Sequence, residues 1–184
     1  MKKRGMLEGK KQYEKFMEKG FRTESGKVEL SSSWMEKNGY DPLPIFSEIA
    51  DNSDKEMNFI FTSAKIPVFF HSMNRNLPSL RKVYPEPRII IHPKAGKELN
   101  IDAKDWVWVE NGQGRAKFRA KFSPDIDPGV VMGEHGWWFP ENDASTLYGW
   151  KESNINALTK NDPPYEPAIG GVNLRGFACR IYKA

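Results

Sequence analysis

The sequence predicts a mainly β fold with short helices, closed into a barrel. Three observations carry that expectation. Six short β-rich runs recur at 59–62, 88–92, 106–110, 116–122, 130–132 and 178–182. Residues 111–114 read NGQG, a strong hairpin signal between two of them. Few helical patterns accompany the strands, and closing short strands on one another removes the unpaired edges that an open sheet would expose.

In chain order, residues 10–19 place Tyr13, Phe16 and Met17 at helical spacing, with Gly20 as the stop. Residues 27–30 read as a short strand. Ser33 followed three residues later by Glu36 fits a capping box, and Gly39 would end that second helix. Two prolines make 40–46 extended, and the charged, apolar-poor stretch 51–56 reads as a boundary. The expected division is a lead-in segment at 1–50 and a barrel domain at 51–184. Within the barrel, Pro93 suits the first position of a short helix reaching Leu99. Residues 116–122 alternate Ala and Phe with Lys and Arg, so one face is buried and the other solvated.

At 184 residues, the chain has room for one domain of ordinary size plus a lead-in. Lys and Arg number 28 against 24 acidic residues, a formal charge of +4. That mild excess suits an anionic ligand and falls short of the dense basic patch of a dedicated nucleic-acid binder. No apolar run approaches a membrane span and no secretory h-region follows the basic start, so direct membrane insertion is not expected and any export signal would lie outside these residues. The single cysteine, Cys179, forbids an internal disulfide and reads as a buried core thiol. His71, His92 and His135 lack metal-ligand spacing, and no metal site is expected.

The most chemically loaded stretch is 69–80, FFHSMNRNLPSL, which follows the first barrel strand through a short link. It concentrates His71, Ser72, Asn74, Arg75, Asn76 and Ser79 where a bare turn would need only Gly, Asn, Asp or Pro. Further on come GEHGWW at 133–138, SNINALT at 153–159 and the closing LRGFACRIYKA. The order and spacing of these pieces resemble the C-terminal molybdopterin (guanine) dinucleotide-binding domain of the dimethyl sulfoxide reductase family. The likeness is to its anaerobic members of dehydrogenase, polysulfide or thiosulfate reductase and acetylene hydratase type, and it covers about three quarters of the chain. The resemblance sharpens the barrel to a six-stranded double-psi β-barrel, like that of aspartate decarboxylase.

It also implies a ligand and a site. The ligand is molybdopterin guanine dinucleotide, present in bis form in the parent enzyme with molybdenum or tungsten. Its pyrophosphate needs N–H groups, hydroxyls and a cation, and its flat heterocycles need stacking faces and carboxamides. By resemblance, Thr62, Ser63 and Lys65 occupy the family's Thr-Gly-Arg-like turn, with Ala64 and Lys65 replacing Gly and Arg, so the bidentate fork is lost. His71, Ser72, Asn74, Arg75 and Asn76 match the segment that lies along the dinucleotide, with Arg75 for charge and His71 and Ser72 for directed hydrogen bonds. A structural salt bridge is the other reading of Arg75. His135 and Gly136 match the turn near the cofactor, and the adjacent tryptophans fill core or line the pocket. Asn154 and Asn156 carry over as cofactor contacts, against the plainer reading that Ser153 or Asn154 caps a short helix. Gly170 and Gly171 stand in a loop at 162–171 that closes over one end of the site or forms a lid without contacts.

No segment resembles the family's metal-ligand region, and no four-cysteine cluster set is present. These residues are therefore expected to position cofactor without turning anything over. The upstream domains of the parent are the implied partners, with iron–sulfur electron-transfer and membrane subunits beyond them. The alternative reading is a nucleic-acid-binding β-barrel, in which Trp106, Trp108, Arg115, Lys117, Arg119 and Lys121 form a charged sheet with stacking platforms. A free-standing decarboxylase-like enzyme would need a Gly-Ser cleavage site, which the sequence lacks.

Overall fold

The structure is a computed structural model that describes residues 5, 9–46, 56–163 and 165–184. The chain divides into two compact units, Met1–Ser47 and Glu48–Ala184. The charged stretch read as a boundary falls, at 51–55, outside the described residues.

The first unit carries two short helices, α1 (Phe16–Lys19) and α2 (Ser33–Lys37). The ten-residue helix expected at 10–19 is thus a single turn. Tyr13 and Met17 lie 77% and 74% exposed, so no packed face offsets the cost of helix nucleation. Gly20 does close it, at φ 64° with its N–H on the Phe16 carbonyl. The cap of α2 lies one residue earlier than expected, because Ser32 rather than Ser33 accepts the Met35 N–H. The strand expected at 27–30 does not form.

In the second unit all six expected strands are present. They are β1 (Phe59–Ala64), β2 (Arg88–Ile91), β3 (Trp106–Asn111), β4 (Gly114–Phe122), β5 (Val130–Glu134) and β6 (Phe177–Lys183). They close in the order β1-β5-β2-β4-β3-β6. β1 runs parallel to β5 and β2 parallel to β4, while the other four neighbouring pairs are antiparallel. These parallel pairs demand crossed connections, which strand periodicity alone does not reveal. Of the helices here, α3 (Pro78–Val83) and α4 (Pro93–Glu98) both start on proline. The third, α5 (Trp150–Ser153), is followed by a 3-10 turn, Ile155–Leu158.

The barrel interior follows from alternation. Ala116, Phe118 and Ala120 of β4 face inward with Val107 and Val109 of β3, and Phe61, Ile89, Ile91, Val131 and Ile181 complete the core. Burying one such side chain contributes about 1.5–3 kcal/mol. At the β3–β4 hairpin, Asn111 accepts the N–H groups of Gln113 and Gly114 and donates to the Leu158 carbonyl, tying the turn to the 3-10 segment. Cys179 is buried in the same core, and burial pushes its thiol up to about 12.

The outer face of β3 and β4 bears on the nucleic-acid alternative. Arg115 lies over the Trp108 ring at 4.3 Å and Arg119 over Trp106 at 4.3 Å, while Lys117 is 5.3 Å from both rings. The cations and aromatics satisfy one another, each contact contributing about 0.5–1 kcal/mol. A nucleobase would have to compete with these cations for the stacking faces.

Candidate functional site

β1 and β5 run parallel, so the segments that leave them emerge side by side. Opposite pairs along them are Thr62 with Met132, Ser63 with Gly133 and Ala64 with Glu134. The next residues on one side lead into the 69–77 loop, and on the other into His135–Pro140. Here the chain brings together residues more than 60 positions apart.

The junction is held from several directions. Arg75 is fully buried and donates from one terminal nitrogen to the His71 carbonyl at 2.6 Å and from the other to the His135 carbonyl at 3.2 Å. Its guanidinium lies 4.6 Å from the Phe69 ring centre and 4.9 Å from that of Trp137. Trp138 Nε1 donates to the Ser72 carbonyl at 2.5 Å. Gly136 sits at φ +70°, and a Cβ there would meet the backbone of Ser72 at 3.1 Å. Its neighbour Gly133 is needed by the barrel, since a Cβ would strike the Phe61 ring at 2.6 Å. The close approaches these two glycines permit are therefore to the chain itself.

Under the loops lies a second apolar cluster of Ile66, Phe69 and Trp137, flanked by Tyr84 and Phe139. The two tryptophans split the readings offered for them. Trp137 is core, edge-on to Phe69 at 5.8 Å. Trp138 is half-buried and, with Asn76, Pro140 and Tyr148, lines an open groove of about 440 Å³. Sequence reasoning missed Tyr148. A signal in the structure is its backbone, where Leu147 and Tyr148 both take positive φ, near 52° and 54°, immediately before Gly149 at 62°.

Charge in the junction is unusual. Burial lowers the Arg75 pKa to about 10, and no carboxylate among the described residues is within ion-pair distance of it. The salt-bridge reading of Arg75 is thereby corrected: two carbonyls and two aromatic faces replace the carboxylate. Glu134, also buried, accepts the Arg88 N–H at 2.8 Å. Desolvation pushes its carboxyl up to about 8, against the Arg88 hydrogen bond and the Arg75 charge, which both lower it. Near neutral pH the buried charge is thus predominantly that of the guanidinium.

The remaining expected residues distribute as follows. Thr62 and Ser63 are half-buried at the end of β1, and Lys65 is exposed. His71, Ser72 and Asn76 are exposed, with Asn74 half-buried at φ 71°. His71 itself takes φ 52°, and its Nδ1 lies 3.3 Å from His135 Nε2. His135 Nδ1 in turn is 2.8 Å from the Ala64 carbonyl. Asn154 caps the 3-10 turn by accepting the Asn156 N–H at 3.0 Å, and donates to the Trp137 carbonyl at 3.2 Å. Its carboxamide is therefore engaged internally, while Asn156 is exposed. In the 162–171 loop, the Glu166 carboxylate accepts the N–H groups of Ala168 and Ile169, and its backbone pairs with Gly170 and Gly171. Gly170 and Gly171 thus belong to a self-stapled turn. Among the described residues no group of three or more potential metal ligands converges. No helix among them is long and apolar enough to cross a membrane.

Asn76, Trp138, Pro140 and Tyr148 give the groove aromatic faces and a carboxamide, a surface that suits a flat heterocycle. Residues 59–178 match the family model described as "Molydopterin dinucleotide binding domain". Dopamine dehydroxylase of Eggerthella lenta is 35% identical over 90% of this chain and 17% of its own length. Acetylene hydratase of Syntrophotalea acetylenica is 33% identical over 89% of this chain and 24% of its own. The solved structure of acetylene hydratase from Pelobacter acetylenicus superposes with a TM-score of 0.81 at 32% identity, covering 90% of this chain and 24% of that one. The chain spans a quarter or less of the length of these relatives.

Proposed function

This chain belongs to the molybdopterin dinucleotide-binding domain family, and from that premise we propose how its residues share out the dinucleotide. The barrel binds and positions molybdopterin guanine dinucleotide in a molybdenum or tungsten oxidoreductase. In the proposed division, the hydroxyls of Thr62 and Ser63 and the Lys65 ammonium meet the pyrophosphate as β1 ends. Asn76, Trp138 and Tyr148 take a flat heterocycle in the groove, with His71 and Ser72 supplying directed hydrogen bonds beside it. Asn74 shapes the turn between them.

Arg75 has a different part in this reading. Supported by its complete burial, it acts on the ligand through its field and by fixing the His71 and His135 backbones rather than by direct contact. His135 and Gly136 belong to the same support. Asn154 caps and braces, which leaves Asn156 as the carboxamide free to face a ligand. The single observation that carries the proposal is the tethering of the two loops around one aromatic and carboxamide-lined groove.

When bound, the cofactor supplies the metal-centred chemistry, and the protein supplies binding and orientation. We place the domain inside a larger enzyme whose other domains provide the protein ligand to the metal, with electron-transfer iron–sulfur and membrane subunits as its partners. The relatives' greater length supports the larger enzyme. An amide NMR titration with GDP, with single-stranded DNA as control, tests the binding role. Shifts concentrated in 62–76, 135–140 and 154–156 are expected. Silence toward GDP combined with broad shifts from DNA would overturn the proposal.

A further inference from the structure

We propose that His71 meets the ligand as a hydrogen-bond acceptor, its tautomer fixed by a relay through His135 to the Ala64 carbonyl, and so reads the N–H edge of a heterocycle rather than a phosphate. This deepens the function proposed above and rests on it for the identity of the ligand.

The polarity of the relay follows from its fixed end. The Ala64 oxygen is a carbonyl and can only accept, so His135 Nδ1, at 2.8 Å, carries the proton. A neutral imidazole protonated at Nδ1 has Nε2 as an acceptor. His71 Nδ1, 3.3 Å from that nitrogen, must therefore donate. The second imidazole is in this way also set to its Nδ1–H form, and its Nε2 is left with a lone pair. Among the described residues nothing takes up that lone pair, and His71 is exposed.

The opposite polarity would require His135 to be an imidazolium donating from Nε2. That form holds both ring protons, so the polarity described is the one open to a neutral pair. The backbone is built to hold this arrangement. His71 sits at a positive φ that a side chain other than glycine rarely adopts, with its own carbonyl gripped by Arg75 at 2.6 Å. The Phe70 ring stands nearly perpendicular to the imidazole, at 5.0 Å and 78°.

A phosphate offers only acceptors, so it gains nothing from an acceptor nitrogen. The matching chemistry is a ring N–H with an adjacent amino group, the edge of a 2-amino-4-oxopyrimidine. Guanine and pterin share that edge, and the two ends of the dinucleotide are distinguished by probing each separately.

The test is a long-range 1H–15N spectrum of the histidine rings in the full chain, recorded at alkaline pH with both rings neutral, then titrated with GMP, with pterin and with inorganic pyrophosphate. Both His71 and His135 are expected as Nδ1–H tautomers. The unprotonated His71 Nε2 line should move upfield with one of the two heterocycles, naming the end it reads, and stay still with pyrophosphate. In His135→Phe, His71 should lose its tautomer preference. An Nε2–H tautomer for His71 in the unliganded chain overturns the proposal, as does movement of its ring lines with pyrophosphate alone. Backbone amide shifts in 62–76 on adding a heterocycle, with a silent His71 ring, overturn the acceptor role and leave the dinucleotide reading standing. No shift anywhere with any probe overturns both.

Discussion

The barrel core and the smaller cluster beneath the two loops are both closed to water, yet they are built on opposite principles. The core is uniformly apolar, with Phe61, Val107, Val109, Phe118 and Val131 wholly inaccessible. The cluster of Ile66, Phe69 and Trp137 surrounds a buried cation. Non-directional packing suffices where the only task is to close the barrel. Where two loops must be held in one relative position, directional bonds from Arg75 to two carbonyls are added. The difference separates what holds the fold from what shapes the site.

Substitutions can break that distinction. Phe61→Ala should have the largest effect, a loss of about 3–5 kcal/mol in denaturant unfolding, because it empties the centre of the barrel and exposes Gly133 to a void. If the two regions differ as argued, its cost is global. Arg75→Met keeps volume but deletes both carbonyl bonds. It should cost about 2–4 kcal/mol and abolish GDP-induced shifts even under conditions where the barrel remains folded. A stable Arg75→Met chain that binds GDP normally would erase the distinction.

Glu134 sharpens it through pH. The folded chain holds this proton up to about pH 8, whereas a free carboxyl releases it near 4.5. More protons are bound folded than unfolded between those values, so the group's contribution is complete below about pH 4.5 and is lost as pH rises through 8. Glu134→Gln, which retains an acceptor for the Arg88 N–H, should flatten that decline by roughly 3 kcal/mol in unfolding measured from pH 5 to 8. Gly136→Ala should cost about 1–2 kcal/mol through its positive φ and the contact with Ser72. Trp138 fluorescence should report it before global unfolding does. Asn154→Ala, removing a cap and one brace, should cost about 1 kcal/mol in thermal unfolding.

The sequence made the barrel legible because its signals are local. Alternation in β4, the Asn111–Gly114 turn and the proline that starts α4 each act within a few residues. The ends of strands were underestimated: β1 and β5 each run two residues further than their β-rich runs, carried by pairing between them. The helix expected at 10–19 failed for the converse reason, since its periodic face has nothing to bury against. At the site, residue types were legible but duties were not. Whether Arg75 meets a ligand or a carbonyl depends on where His135 lies, sixty residues on. The split between Trp137 and Trp138, adjacent in sequence, follows only from the direction in which the loop crosses the barrel mouth. The His71–His135 relay has no sequence signature at all, because it joins two loops through a third residue's backbone.

Cys179 gives the barrel a built-in clock. It lies opposite Phe59 where the last strand closes on the first, and buried there its thiol stays protonated far above ordinary pH. An alkylating reagent can reach it only while that seam is parted. Labelling kinetics therefore time the opening of the closure itself, without any engineered probe. Comparing the rate before and during cofactor loading would reveal whether a dinucleotide enters a standing barrel or one that must first come apart.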